Sequence, residues 1–487
     1  MRVVAADRER SGDALPDWER PSLLEAAERA LVGARSLPLW LDDPQRPDSA
    51  PPLEGHHHAD AVVVGGGFLG LWSALALRRH RPRWRILLLE GGRLGTGASG
   101  RNGGFCEASL THGLANGLAH WPKELAELER YGAENLAGIR AFVEEEAADV
   151  DLVTTGTLDV ALTAWQADEL AGLAEVAVRY GHDVTLLDEE GVSEEVRSPL
   201  YRAGLWTRNR ALMLNPARLV WALARAARRQ GVEIAEGTRA VRLAGEGPFV
   251  RVETGSGASV LAHRVIAATN AAPPLVARAR WYFVPVYDYV VATEPLTVSQ
   301  RDAIGWQRRQ GISDAGNQFH YYHLTADGRI VFGGYDAVYR PVASPRWEGL
   351  QPTHRRLVSH LLATFPALQG IRITHAWGGA IDTSTRFVAS AHSALGGRVH
   401  YAVGFTGLGV AATRFWAEIL AARAVGERHP AERLAMVRHR PVPWPPEPLR
   451  WAGIEATRRS LAWADAHGGR RNLWLRTLDR FGIGFDS

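Results

Sequence analysis

Three glycine-rich stretches carry residues whose types and spacing can do chemistry. Gly65-Gly66-Gly67-Phe68-Leu69-Gly70 follows the apolar run Asp60-Ala61-Val62-Val63-Val64. Gly65, Gly67 and Gly70 keep the dinucleotide spacing. The first permits a tight turn, the second lets the backbone approach a pyrophosphate, and the third packs helix on strand. A helix starting there points its amides at phosphate. Glu90 ends the next apolar run, Ile86-Leu87-Leu88-Leu89, where an acid accepts from ribose hydroxyls. The second stretch, Gly97-Ala98-Ser99-Gly100-Arg101-Asn102-Gly103-Gly104, is small enough to pass close to a flat ring and a diphosphate. Arg93 and Arg101 add charge there, and Asn102 an amide. The third, Gly404-Phe405-Thr406-Gly407-Leu408-Gly409-Val410, lies more than 300 residues beyond the first. A nucleotide fold that closes this far from where it opens points to FAD rather than NAD.

Substrate-side candidates lie between the second and third stretches. His320-Tyr321-Tyr322-His323 sits in a strand pattern. Alternation sends Tyr321 and His323 to one face, His320 and Tyr322 to the other. Tyr335, just after Gly333-Gly334, and Trp377, just before Gly378-Gly379, are aromatic wall candidates. Arg386 could receive a carboxylate as a bidentate fork. Cys106, the only cysteine, follows Gly104-Phe105. Free cysteines are mostly buried small hydrophobes, so a covalent link to a cofactor is disfavoured.

The elements that must position these residues read as α/β. Residues 1–58 form an N-terminal arm, Pro-rich toward its end. Residues 60–90 read as strand, glycine turn, helix and strand. Residues 124–148 are helical. Asn215-Pro216 starts another helix, with Asn as N-cap and Pro at the first helical position. Val250-Arg251-Val252-Glu253-Thr254 and Ser259-Val260-Leu261 pair as a hairpin. Strand patterns return over 281–340, and 399–404 is a late strand feeding the third glycine stretch and a helix over 411–424. The tail, 426–487, holds five prolines between 441 and 448 and then several Trp.

At 487 residues and 46% hydrophobic content the chain can bury a large core of two or three domains. The net charge of +3 is interspersed, so nucleic acid is an unlikely partner. The single cysteine excludes an intrachain disulfide and fits the cytoplasm. No run is long and apolar enough for stable membrane insertion. His56-His57-His58 leads directly into a buried strand and reads as its polar start, not as a metal site; no metal is expected.

Taken in order, these motifs resemble the FAD-dependent D-amino-acid oxidase/glycine oxidase superfamily, nearest its gamma-glutamylputrescine oxidoreductase branch. Further matching residues are Asn215-Pro216-Ala217-Arg218-Leu219-Val220, Ala268-Thr269-Asn270-Ala271, Ala292-Thr293-Glu294-Pro295-Leu296, Phe332-Gly333-Gly334, Trp377-Gly378-Gly379 and Ile381-Asp382. The resemblance covers about residues 59–425. It implies a discontinuous Rossmann-like FAD-binding domain (59–150, 206–280 and 366–425) with an inserted antiparallel β-sheet substrate domain (151–205 and 281–365). The tail would pack on the FAD domain.

The implied cofactor set is Gly65, Gly67, Phe68, Leu69, Gly70, Glu90, Gly91, Arg93, Ala98, Ser99, Gly100, Arg101, Asn102, Gly103, Gly104, Val241, Thr269, Asn270, Gly378, Gly404, Thr406, Gly407, Leu408, Gly409 and Val410. The helix after Gly409 would place its N-terminal dipole at the negative edge of reduced flavin. The implied reaction is hydride transfer from a C–N bond to flavin N5, followed by imine hydrolysis. The substrate would be a small amine or an N-substituted amino acid, with oxygen or another electron acceptor. The amine must be neutral to release hydride, and no catalytic base is obvious. Some relatives place a lysine over the flavin to assist oxygen. Lys123 is the only lysine and lies in a charged helical region, which lowers the oxidase reading. Two alternatives remain: a dehydrogenase passing electrons to a carrier or quinone, and a non-catalytic binding protein that keeps FAD structurally.

Overall fold

The computed structural model describes residues 15–480 and Ile483. Two sheets share the chain. The first has the order Ser390–Ala394, Val399–Val403, Ser259–Ala267, His56–Val64, Ile86–Leu89, Glu233–Ala235. Its four central pairings are parallel, and Ser390–Ala394 adds an antiparallel edge. Ile86–Leu89 is buried at every position, as a parallel strand covered on both faces must be. Helices Phe68–His80, Pro216–Arg229 and Gly409–Ala424 supply part of that cover. Asn215 caps the second of them, accepting from the N–H groups of Ala217 and Arg218 at 3.1 Å each. The chain leaves His56–Val64 toward Ile86–Leu89 and later returns on its other side as Ser259–Ala267. Ligands bind at the carboxyl ends of strands flanking such a reversal.

The second sheet runs Val338–Tyr339, Val284–Thr293, Ile330–Gly334, His320–Leu324, Gly311–Asp314, Thr157–Ala161, Ala203–Thr207, Val184–Leu187. It is antiparallel except where Gly311–Asp314 meets Thr157–Ala161. Ile373–Thr383 pairs with Val284–Thr293 over ten positions. That strand, and part of Ala203–Thr207, therefore lie in the second sheet, although the sequence boundaries put them with the FAD-binding portion. One face of this sheet packs Tyr322, Phe332 and Tyr287 into a core with Phe365 and Leu361.

The N-terminal arm is more structured than an extended segment. Helix Pro21–Ala30 buries Leu23, Ala26, Ala27 and Ala30 in that same core, beside helix Pro352–Thr364. The expectation for residues 1–14 lies outside the described residues. His56, His57 and His58 open the first strand.

Candidate functional site

One cavity of about 1730 Å³ runs between the sheets. At its nucleotide end the chain turns sharply out of His56–Val64. Gly65 holds φ +113, a backbone only glycine adopts without strain, and a Cβ on Gly70 would strike the Gly65 carbonyl oxygen. The Glu90 carboxylate accepts from the N–H groups of Gly66 at 2.7 Å and Gly92 at 2.8 Å, which fixes it against the turn. Phe68 N–H donates to Ser99 Oγ at 2.9 Å, tying the first glycine stretch to the second.

The second stretch is held from behind by two indoles. Trp40 Nε1 donates to the Asn102 carbonyl at 2.8 Å and Trp377 Nε1 to the Arg101 carbonyl at 2.9 Å. Arg101 bonds the carbonyls of Thr96 and Gly378 and pairs with Glu348 at 3.0 Å. The third stretch hangs on Asp382, which accepts from Gly404 N–H at 2.7 Å and Phe405 N–H at 3.2 Å. Burial pushes the Asp382 carboxyl up to about 7 against these two donors.

Of the expected cofactor residues, six do not line the cavity: Gly70, Arg93, Gly100, Gly104, Gly378 and Gly404. The five glycines are sites of close packing, and Arg93 donates to the Pro47 carbonyl. The other nineteen line it. A Cβ built on Gly97 or Gly407 would meet no atom within 4 Å, so the main chain there faces open space. Such a channel, with Glu90 at one end and the N-terminus of Gly409–Ala424 at the other, fits a dinucleotide carrying a flat ring.

The substrate end is built from side chains on one face of the second sheet. Asp159, Ser313, Tyr321 and Gly333 are successive cross-strand partners. Asp288 lies on the neighbouring strand, two positions from the partner of Gly333. Tyr321 OH donates to Asp288 Oδ2, reaching over Gly333, where a Cβ would sit 2.6 Å from the phenol oxygen. Asp288 also accepts from Tyr289 N–H at 2.9 Å, yet burial outweighs both bonds and lifts its carboxyl to about 6. Burial and the neighbouring Asp288 charge push the Tyr321 phenol far up, so it stays a donor. Ser313 Oγ donates to Asp159 Oδ1. Glu107 faces the same space from strand Phe105–Glu107. Burial and the charge of Asp159 raise it to about 7.

Tyr335 lines the cavity and stacks on His320 with centroids 5.1 Å apart. Nine described residues other than glycine have left-handed φ, and five of them, His112, Asn270, Tyr335, Phe387 and Thr406, line this cavity. Backbone strain of this kind clusters at functional sites.

Three substrate candidates are placed elsewhere. Trp377 is fully buried and serves the Arg101 loop. His323 does share the Tyr321 face, but it lies behind Gly104 and stacks on Trp40; burial lowers it to about 4 and keeps it neutral. Arg386 turns inward, donating to the Met436 carbonyl at 3.0 Å over the Trp121 ring, and burial lowers it to about 10. Cys106 points into the core. Lys123 is exposed and does not line the cavity.

The sequence profile of the FAD dependent oxidoreductase family DAO matches residues 60–423, most of the chain. The protein belongs to this family. It is 28% identical over 406 residues to a Haemophilus influenzae protein described as a probable oxidoreductase, OrdL, covering 81% of this chain and 88% of that one. It is 29% identical over 395 residues to Escherichia coli gamma-glutamylputrescine oxidoreductase, covering 79% and 88%. Glycine oxidase from Geobacillus kaustophilus shares the fold, with a TM-score of 0.66 at 18% identity over 79% of this chain and 99% of that one. This FAD-dependent oxidoreductase therefore has the mixed α/β flavoprotein fold.

The tail lies beyond the family match and roofs the cavity of this oxidoreductase. Trp444, Leu449, Ile454, Leu461 and Trp474 line it. The tail is held on both sides: Ala431, Leu434, Met436 and Val437 are buried in the core with the helices of the FAD-binding portion and Ala435 N–H donates to Glu124 at 2.8 Å, while the part after Pro443 reaches the substrate side. Asp465, at the end of helix Leu449–Asp465, accepts from Asn317 N–H at 2.9 Å, Asn317 Nδ2 at 2.7 Å and Gln318 N–H at 2.9 Å. Trp444 Nε1 donates to the Thr383 carbonyl at 3.2 Å, and Tyr339 OH to Glu447. Sequence reasoning missed the cavity-lining acids Asp288 and Glu107 as well. Each stands at the polar position of an alternating strand, a pattern that equally describes a solvent face.

Proposed function

We propose that the protein oxidises the C–N bond of an amine or N-substituted amino acid and that Asp288, held by Tyr321, takes the proton of the incoming ammonium. The observation that carries this is the Tyr321–Asp288 pair on the cavity wall, with the Tyr321 ring packed against Gly103 of the second glycine stretch. FAD supplies the hydride acceptor when bound. An amine reaches the site at neutral pH as its cation. With a carboxyl near 6, Asp288 is ionised there and accepts one proton, leaving the nitrogen lone pair free to assist hydride loss. Tyr321 keeps its own proton and fixes the carboxylate. The roof formed by the tail excludes water until the product leaves and its imine hydrolyses. Relatives named for gamma-glutamylputrescine and sarcosine support an amine substrate.

Among the described residues no helix is long and apolar enough to cross a membrane. A cytoplasmic location belongs to the same reading, supported by the single buried cysteine. The test is anaerobic titration of the purified flavoprotein with amines and N-methyl amino acids. Bleaching of the flavin is the expected result, and silence toward all of them returns the protein to the non-catalytic alternative. Peroxide on readmitting air identifies an oxidase; bleaching without peroxide identifies a dehydrogenase that uses a carrier or quinone.

A further inference from the structure

We propose that the substrate carries a large apolar group, alkyl or aryl, beyond its reacting nitrogen, and that the tail selects it. This rests on the amine reading above and narrows it. Val284, Val286 and Asp288 line the cavity from alternate positions of one strand. Alternate positions lie about 7 Å apart, so the wall turns apolar within one step of the acid. The tail is attached beside that stretch. Trp444 Nε1 donates to the carbonyl of Thr383, the cross-strand partner of Val284. Tyr339, the partner of Val286, donates its hydroxyl to Glu447. From there helix Leu449–Asp465 crosses to Asn317 and Gln318, just ahead of the strand that carries Tyr321. An apolar group attached to a nitrogen at Asp288 therefore runs along the valines and under the tail.

The roof offers this group contact but no polar bond. Leu449, Ala452, Gly453 and Ala456 share the helix face that lines the cavity. Leu449 is 65% exposed there, and Trp474, from the next helix, 39%. Large apolar side chains left uncovered on a cavity wall are what a ligand covers. The polar groups between them are engaged by the tail itself. Trp474 Nε1 donates to Thr457 Oγ1 at 3.0 Å, and Thr457 Oγ1 in turn to the Gly453 carbonyl at 2.8 Å. Arg458 pairs with Glu455 at 3.0 Å, and Arg450 Nε donates to the Pro445 carbonyl at 2.8 Å. A charged or hydroxylated end would lose water under this roof and gain no partner. A Cβ on Gly453 would meet nothing within 4 Å, so open space lies in front of it. With alanine at 452 and 456, and Leu449 and Leu461 beyond them, the helix face is an apolar trough rather than a flat cover.

Ethylamine, hexylamine and 6-amino-1-hexanol share a reacting end and differ beyond it; N-methylalanine and N-methylphenylalanine do the same for the amino acids. Anaerobic flavin reduction of the holoenzyme gives an apparent Kd for each. Hexylamine should bind about tenfold or more tighter than ethylamine, because covering even half of its extra methylenes supplies that factor. N-methylphenylalanine should outbind N-methylalanine by a similar factor, and the hydroxyl of 6-amino-1-hexanol should cancel most of the gain. Gly453→Leu fills the trough with a better helix former and should shrink the ratio between large and small probe about tenfold. Leu449→Gln strips apolar contact from its rim and should shrink that ratio about threefold or more. Flavin content and thermal unfolding show that the variants are folded. If only one of the two series reduces the flavin, that series decides. Equal affinity for its large and small probes, a preference for the hydroxylated chain, or an apolar preference that neither variant diminishes would overturn the inference alone. If no amine or amino acid reduces the flavin, the amine reading itself fails and takes this inference with it.

Discussion

Near Gly65 the cavity wall is main chain; near Asp288 it is side chains. The nucleotide end works by what is absent. Gly97 and Gly407 leave room for a ligand, while Gly65, Gly67 and Gly70 let the turn, the second glycine stretch and the helix pack at contact distance. The substrate end works by what is present, a row of acids and a phenol on one sheet face. Backbone chemistry is common to every chain that makes the turn, so this end is shared with the family. Side-chain chemistry is particular, so the other end decides what is oxidised.

The largest effect should come from breaking the nucleotide end. A Cβ on Gly70 would overlap the Gly65 carbonyl oxygen, and main chain cannot step aside as a side-chain tip can. Gly70→Ala should therefore yield protein without flavin, destabilised by about 1–3 kcal/mol or more. Flavin absorbance after purification and thermal unfolding check this. A yellow, fully stable variant would mean that the helix and turn are not held as closely as the contact requires.

Breaking the substrate end should leave flavin in place and stop the chemistry. Asp288→Asn keeps the shape and removes the proton acceptor, so the rate of anaerobic flavin reduction should fall about 10²–10⁴-fold. Tyr321→Phe loses only the bond that fixes the carboxylate, and about a tenfold loss is expected. The pH profile carries the sign. The Asp288 carboxyl lies above its ordinary value, so the base is charged above about 6 and neutral below. kcat/KM should rise through that pH, and the limb should vanish in Asp288→Asn. A limb that persists assigns the proton to another group.

The same contrast explains what was legible in the sequence. Glycine spacing records a backbone requirement directly, so the turn, Glu90 and the third stretch could be read without coordinates. Asp288 could not, because Tyr287-Asp288-Tyr289 looks like any half-exposed strand until the sheet folds over the cavity. Trp377 and Arg386 misled for the converse reason. Both stand beside cavity-lining residues, Gly379 and Phe387, but their own side chains turn into the protein. Phe387 takes a left-handed φ of 57 beside Arg386, a local twist that residue type does not announce. The reach of the tail onto the substrate side was not legible because Asp465 meets main-chain donors at Asn317 and Gln318, which have no sequence signature.

The tail sharpens the contrast, since it closes the substrate end and sits outside the family match. Asp465→Ala removes three hydrogen bonds to a carboxylate that is 5% exposed. The helix Leu449–Asp465 should loosen, giving earlier proteolysis within 440–480 and an amine Kd raised about tenfold, with flavin still bound. Unaltered proteolysis and affinity would show that the roof is held by its apolar contacts alone.

The smallest effect belongs to a residue that serves both ends. Trp377 reaches the Arg101 carbonyl from the core, on the strand whose Gly379 faces the cavity. Trp377→Phe keeps most of the buried ring and loses that one bond, worth about 1 kcal/mol. Thermal stability should drop by only a few degrees, and the amine Kd should stay put. The Arg101 loop keeps its second indole, Trp40 on Asn102, and its ion pair with Glu348. A large loss of reduction rate with little loss of stability would contradict this placement and return Trp377 to the substrate wall.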